Sequence, residues 1–240
     1  MAAATVSHAR TPPGFLPATQ NDLIVEFNGF IAMSGTVVPR NTTIPQPRIG
    51  TLTRLAGRSY AVLMIDLDIP TDTPPQTNTL LHWAQTGLTP ANTPTRLNTT
   101  TGQISVFLLE NSTNTAPILG YFGPNPPARI PLSHRYTQIL IDTSDADADD
   151  IAEIRSAAAT IRGFNALTVL TEADLEDKVV AGNFFNVTNP GPVNGTGTPS
   201  GTGTGTGTGS GPTATPAAGG RLAVPVSLMA FVAGAVFFGL

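Results

Sequence analysis

The sequence predicts a mostly β protein, and three observations carry that prediction. Residues 60–65, Tyr-Ala-Val-Leu-Met-Ile, form an apolar run of strand length, bounded by Gly57 and by Pro70; such a run fits a strand buried on both faces better than a helix, which needs greater length. Leu23, Val25 and Phe27 alternate with Ile24, Glu26 and Asn28, the period of a half-buried strand. Further apolar runs recur at 80–84, 104–109 and 139–141, and the helical period enters only after Asp145.

Each segment has a local reason. Residues 1–20 show no period and hold Pro12, Pro13 and Pro17, so they read as an irregular arm. After the strand at 23–27, a short one is expected at 36–38, stopped by Pro39, and 41–58 reads as loops and short edge pieces leading to the central strand. That strand ends in Asp66 and Asp68. Two residues apart on an extended chain, they are expected to point to one side, with Pro70 ending the pairing. Leu80-Leu81-His82-Trp83-Ala84 begins the next strand, 87–102 is polar and expected exposed, and 104–109 reads as a buried strand. Residues 121–131 contain Pro124, Pro126, Pro127 and Pro131, which excludes helix and central strand and leaves a rigid loop. It delivers the chain to Ser133-His134-Arg135-Tyr136 and the strand through 139–141.

Asp145, Asp147, Asp149 and Asp150 crowd the start of a helix with Ile151, Ile154, Ala158 and Ile161 on one face and Gly163 as its stop. These acids lack the spacing of a calcium loop and are read as charge favouring a helix N-terminus. A second helix is expected over 166–177, and a strand over 179–187 closes the domain.

Composition excludes several functions. The 240 residues are 12% charged with a net charge of −4, so there is no basic field to hold nucleic acid. Cysteine is absent, which removes disulfides and thiol chemistry. The sequence divides into an arm at 1–20, a globular domain at 21–188, a Gly/Thr/Pro-rich linker at 189–221 and an apolar tail at 222–240. Sequons at Asn41, Asn98, Asn111, Asn186 and Asn194 sit in polar or turn-like stretches. Small residues at Gly209-Ser210-Gly211, a polar spacer and a terminal apolar run form the pattern of a glycosylphosphatidylinositol signal, with attachment expected at Gly209. A retained anchoring helix is the alternative; Pro225 and the absence of Lys or Arg beyond Arg221 favour the discarded tail. The chain is thus expected at the extracellular face of the plasma membrane or in the cell wall. Residues 1–20 lack the apolar core of a signal peptide, so a leader is expected upstream of Met1. The (Gly-Thr) repeat is read as a flexible tether of about 25 Å for some twenty residues, open to O-glycosylation.

Two carboxylates after one strand, His82 in the next and His134 and Tyr136 opening a third could meet at one end of a sheet. Asp66-Leu67-Asp68-Ile69-Pro70, His82-Trp83, the proline-rich loop and Ser133-His134-Arg135-Tyr136 together resemble the signature of phosphatidylethanolamine-binding proteins. The ending Val180-Ala181-Gly182-Asn183-Phe184-Phe185 resembles that family's last strand, and the likeness spans 23–187 in order. This sequence has Leu67 where the family usually has Pro and Leu132 where it usually has Gly. The resemblance implies a central antiparallel sheet, a smaller flanking sheet, a few peripheral helices, and an anion pocket formed by Asp66, Asp68, His82, His134 and Tyr136 with Pro126 in its wall. It implies a phospholipid head group or small phosphorylated ligand, or else inhibition or modulation of a partner such as a serine peptidase; taken with the tail and the sequons, it implies a secreted or anchored fungal member. Imidazole N–H groups and a phenol can donate to phosphate oxygens. Arg135, between His134 and Tyr136 on a strand, should point away and form a structural ion pair. A third class is an enzyme, since two His and two Asp could in principle bind a metal or act as acid and base, but the nucleophile elbow, His-Glu-x-x-His and phosphate-loop patterns are absent, so no cofactor, metal or catalytic residue is expected.

Overall fold

The computed structural model describes residues 10–99 and 102–191. The strands are β1 (Ile24–Phe27), β2 (Phe30–Ala32), β3 (Arg48–Thr51), β4 (Tyr60–Pro70), β5 (Thr77–Pro90), β6 (Thr95–Thr99), β7 (Gly102–Glu110), β8 (Ser133–Asp142) and β9 (Val179–Thr188), with helices α1 (Ala148–Ala157) and α2 (Ala166–Glu172) between the last two strands. Every strand pair is antiparallel, in the order β2-β1-β3-β7-β5-β4-β8-β9, with β6 beside β7.

Two cores explain the apolar run of β4. Tyr60, Val62 and Met64 pack with Val25, Phe27, Ile49, Trp83, Tyr136, Leu140 and Phe185 between the two halves of the sheet. Ala61, Leu63 and Ile65 pack on the other face with Ile139, Ile141 and the helix residues Ile154, Val169 and Leu170. A strand covered on both faces has no solvent side, so its apolar residues are continuous rather than alternating. Each fully buried aliphatic side chain contributes about 1.5–3 kcal/mol.

Beyond the named strands, the outer edge of β9 is covered by other chain segments. Asn21 and Leu23 exchange backbone hydrogen bonds with Gly182, and Thr36 and Val38 do so with Asn186. The arm at 10–20 is irregular, as expected, yet docked: Thr11 and Thr19 are buried, and a Cβ on Gly182 would stand 2.8 Å from the Thr19 methyl and 2.9 Å from that of Thr11. Covering an edge removes a template for unwanted strand pairing.

Other elements differ from expectation for identifiable reasons. Residues 36–38 make only a bridge to Asn186, and the strand in that region is β2. The polar stretch 87–102 holds the end of β5 and all of β6, which buries only Leu97 and so carries no apolar period. In β7 only Val106 and Leu109 are buried. α1 ends at Ala157 rather than near Gly163, while its start is capped as read: Asp147 accepts from the N–H groups of Asp149 and Asp150, and Asp150 returns a bond to the Asp147 N–H.

Candidate functional site

The site grows from the register of the central strands. Asp66 of β4 lies directly across from Tyr136 of β8, and His134 is two residues along β8, hence on the same face. His82 joins them through an irregularity. Pairing of β4 with β5 steps from Met64↔Trp83 to Ile65↔Leu81, so His82 is an extra residue in β5, a β-bulge. The bulge puts Leu81 and Ala84 in the helix-side core and Trp83 in the other, and brings the His82 ring within 5.2 Å of Tyr136, centroid to centroid.

Asp66 is the hub. Its Oδ2 lies 2.8 Å from His134 Nδ1, its Oδ1 accepts from the Asp68 N–H at 2.8 Å, and its charge acts on the Tyr136 hydroxyl. The backbone N–H of Asn125, in the proline-rich loop, acts on the same phenol and opposes the rise of its pKa. Burial first, then the charge of Asp66, raise the Tyr136 pKa far above that of free tyrosine, so this group is a hydrogen-bond donor throughout the physiological range. His82 Nδ1 lies 2.8 Å from the Phe122 carbonyl, a pure acceptor, which places the proton on Nδ1. Burial lowers the His82 pKa, and the Phe122 carbonyl and Asp66 offset this only in part. His134 Nε2 is buried and has no hydrogen-bond partner among the described residues.

Asp68 departs from the expectation that both carboxylates line one hollow. A second irregularity between Asp66 and Ile69 turns Asp68 toward the end of β8, where it accepts from the Arg135 backbone N–H and Nε at 2.8 Å and from Nη2 at 2.7 Å. Three donors occupy the carboxylate. Arg135 forms an ion pair, as anticipated. Pro126 is buried in the loop, and its carbonyl accepts from Asn189 Nδ2 at 2.8 Å, so it holds the wall in place.

The expected open hollow is instead closed. Asp66, His82, His134 and Tyr136 are each at most 3% exposed. Phe122 lies over His82 with ring centroids 4.1 Å apart and is itself 37% exposed, so it forms the roof between the cluster and solvent. Phe122 and Asn125 were not legible as site residues; the one sequence signal was their place inside the proline-rich loop just upstream of Ser133-His134. Among the described residues no group of three or more His, Asp or Glu could hold a metal ion.

The sequons fall in different settings. Asn41, Asn98 and Asn111 are exposed. Asn186 is not in a turn: it is half-buried on β9, and its Nδ2 donates to the Gly35 carbonyl at 3.0 Å, the nitrogen a glycan would take. Asn194 and Gly209, with the rest of residues 192–240, lie outside the described residues.

A nine-stranded antiparallel sheet backed by two helices, with an Asp-His-Tyr cluster roofed by a proline-rich loop, defines a β-rich scaffold. The chain belongs to the phosphatidylethanolamine-binding protein family: the family model described as "Phosphatidylethanolamine-binding protein" matches residues 25–185. It is 29% identical over 198 residues to phomoidride biosynthesis cluster protein N of the fungus Talaromyces stipitatus, covering 76% of this chain and 92% of that protein. The phosphatidylethanolamine-binding protein from Plasmodium vivax superposes with a TM-score of 0.50 at 20% identity, over 73% of this chain and 91% of that one. A carboxypeptidase Y inhibitor, in complex with its cognate proteinase, does so with a TM-score of 0.49 at 17% identity, over 71% and 84%.

Proposed function

We propose that this chain is a non-enzymatic binding protein that accepts a phosphate-bearing head group at the Asp66-His82-His134-Tyr136 cluster and is held at the outer cell surface by a lipid anchor near Gly209. One observation carries the binding reading: His134 Nε2 is buried without a partner while Asp66 grips the other ring nitrogen. Unpartnered buried polar atoms are uncommon and each calls for an explanation, which a ligand completing the hydrogen bonding supplies here. In the imidazolium form both ring nitrogens donate, one to Asp66 and the other to an incoming phosphate oxygen. Tyr136 and the Asn125 N–H are further donors within the cluster. Entry requires Phe122 to leave the face of His82.

Asp68 is committed to Arg135, so the phosphate rather than an ammonium supplies the main recognition. Inorganic phosphate or phosphorylethanolamine at a hundredfold excess over Kd is expected to stabilise the protein by about 2.7 kcal/mol, a shift of roughly 5–11 °C in unfolding temperature at about 2–4 °C per kcal/mol for a domain of this size. His134→Ala and His82→Ala should each abolish the shift. Protection retained in both variants sinks the assignment, and inhibition of a serine carboxypeptidase that survives in both would move the function to the protein surface. The anchor rests on the composition of residues 189–240. Phosphatidylinositol-specific phospholipase C should release the protein from intact cells; retention after treatment refutes it.

A further inference from the structure

We infer a second ligand site, separate from the acid-imidazole cluster, that takes a neutral, largely apolar molecule bearing a hydroxyl. A cavity of about 730 Å³ lies beside the β1–β2 hairpin, and its wall includes Ser34, Asn183, Phe30, Met33 and Ile104. None of Asp66, His82, His134 or Tyr136 lines it. The volume is that of a pocket for a small organic ligand.

Two residues of its wall carry buried polar atoms without partners. Asn183 on β9 is 3% exposed. Both hydrogens of its Nδ2 are used, on the Leu23 and Ala32 carbonyls at 3.1 Å, so the amide cannot flip without losing two bonds, and its orientation is settled. The Oδ1 atom is then buried with no donor among the described residues, and the Oγ of Ser34, another residue of the wall, is buried and equally unpartnered. An acceptor left unpaired in a buried place costs about 1–3 kcal/mol, which a ligand hydroxyl would recover by donating to Asn183 and accepting from Ser34.

The mouth specifies the rest of the molecule. Phe30, Met33, Val37 and Leu52 all line this cavity and are 40–64% exposed, so four large apolar side chains converge on one opening, the arrangement that marks a binding surface rather than scattered apolar exposure. At the rim the charges cancel, since Arg10 Nε pairs with Asp22 Oδ1 at 2.9 Å. Neither a carboxylate nor an ammonium on the ligand finds an unopposed counter-charge there, which selects an alcohol over a fatty acid or an amine.

The test is an amide and methyl NMR titration of the full chain with 1-octanol, and with octane and octanoate as the arms lacking the hydroxyl donor or adding charge. Octanol should shift Ser34, Asn183 and Ile104 together and saturate, while octane and octanoate bind at least five-fold more weakly. Ser34→Ala removes one partner without breaking any other bond and should weaken octanol several-fold. Ile104→Trp should fill the cavity and abolish the shifts, with the phosphate response of His134 intact. Equal affinity for octane and octanol, or octanol binding undiminished in Ile104→Trp, overturns the site; shifts confined to surface residues do so as well.

Discussion

Replacing Asp66 by alanine tests whether the cluster is a closed hydrogen-bonded unit. The carboxylate serves two donors, the Asp68 N–H and His134 Nδ1, each at 2.8 Å, and its charge acts on the Tyr136 hydroxyl. All sit where solvent has no direct access, since Asp66 and Tyr136 are 1% exposed and His134 is fully buried. Each donor stranded in such a place costs about 1–3 kcal/mol, so two full penalties are expected, about 2–6 kcal/mol in all. That is a large fraction of the ~5–15 kcal/mol that holds a domain together. With a urea slope of roughly 2–3 kcal/mol/M, the unfolding midpoint should fall by about 1–3 M. The control is Asp72→Ala, whose ion pair with Arg129 at 3.5 Å is on the surface and whose midpoint should match the parent. A change of under about 0.3 M for Asp66→Ala would refute the closed-cluster account and mean that solvent readily takes over the role of the carboxylate.

Four more outcomes follow from the same structure. His82 has its pKa lowered in the folded state, first by burial, so the unfolded chain binds more protons and stability falls as pH drops below the ordinary value of 6.5 until the folded pKa is passed; the loss between pH 7 and 5 should be smaller in His82→Gln. Below about 4.5 a second decline is expected from Glu26: burial raises its pKa, but Arg48 and the Gly29 N–H outweigh that and leave it lowered, so its contribution is present above the unfolded value and lost on acidification, and Glu26→Gln should flatten that limb of a chemical denaturation series. Thr137 is fully buried with Oγ1 unpartnered, so Thr137→Val, of the same shape, should gain about 1 kcal/mol and raise the melting temperature by roughly 2–4 °C; a lower melting temperature contradicts it. Gly182→Ala should push the arm off β9, seen as faster tryptic cleavage after Arg10, and an unchanged cleavage rate would show that the Thr11 and Thr19 contacts do not hold it.

The mostly β class was readable because burial leaves a mark on residue type. A strand covered on both faces is apolar throughout, as in residues 60–65, and a half-covered one alternates, as at Leu23, Val25 and Phe27. Edge strands such as β6 leave little mark, since Leu97 alone is buried there. The residues of the cluster were readable too, because Asp66, His82, His134 and Tyr136 all lie in the segments that carry the family pattern.

How those residues meet was decided only by pairing between distant strands. In a regular strand His82 and Trp83 would face opposite sides; the bulge turns both toward Tyr136, and a bulge is a count of residues on one strand against its neighbour, which no single segment contains. The same long-range register turns Asp68 away from Asp66 and into the grip of Arg135, although a two-residue spacing on an ideal strand sets them side by side. Phe122 became a roof because the loop that carries it, with Asn189 holding the Pro126 carbonyl, lies across the end of the sheet. Local composition therefore determined which side chains are available, and cross-strand register determined which of them touch.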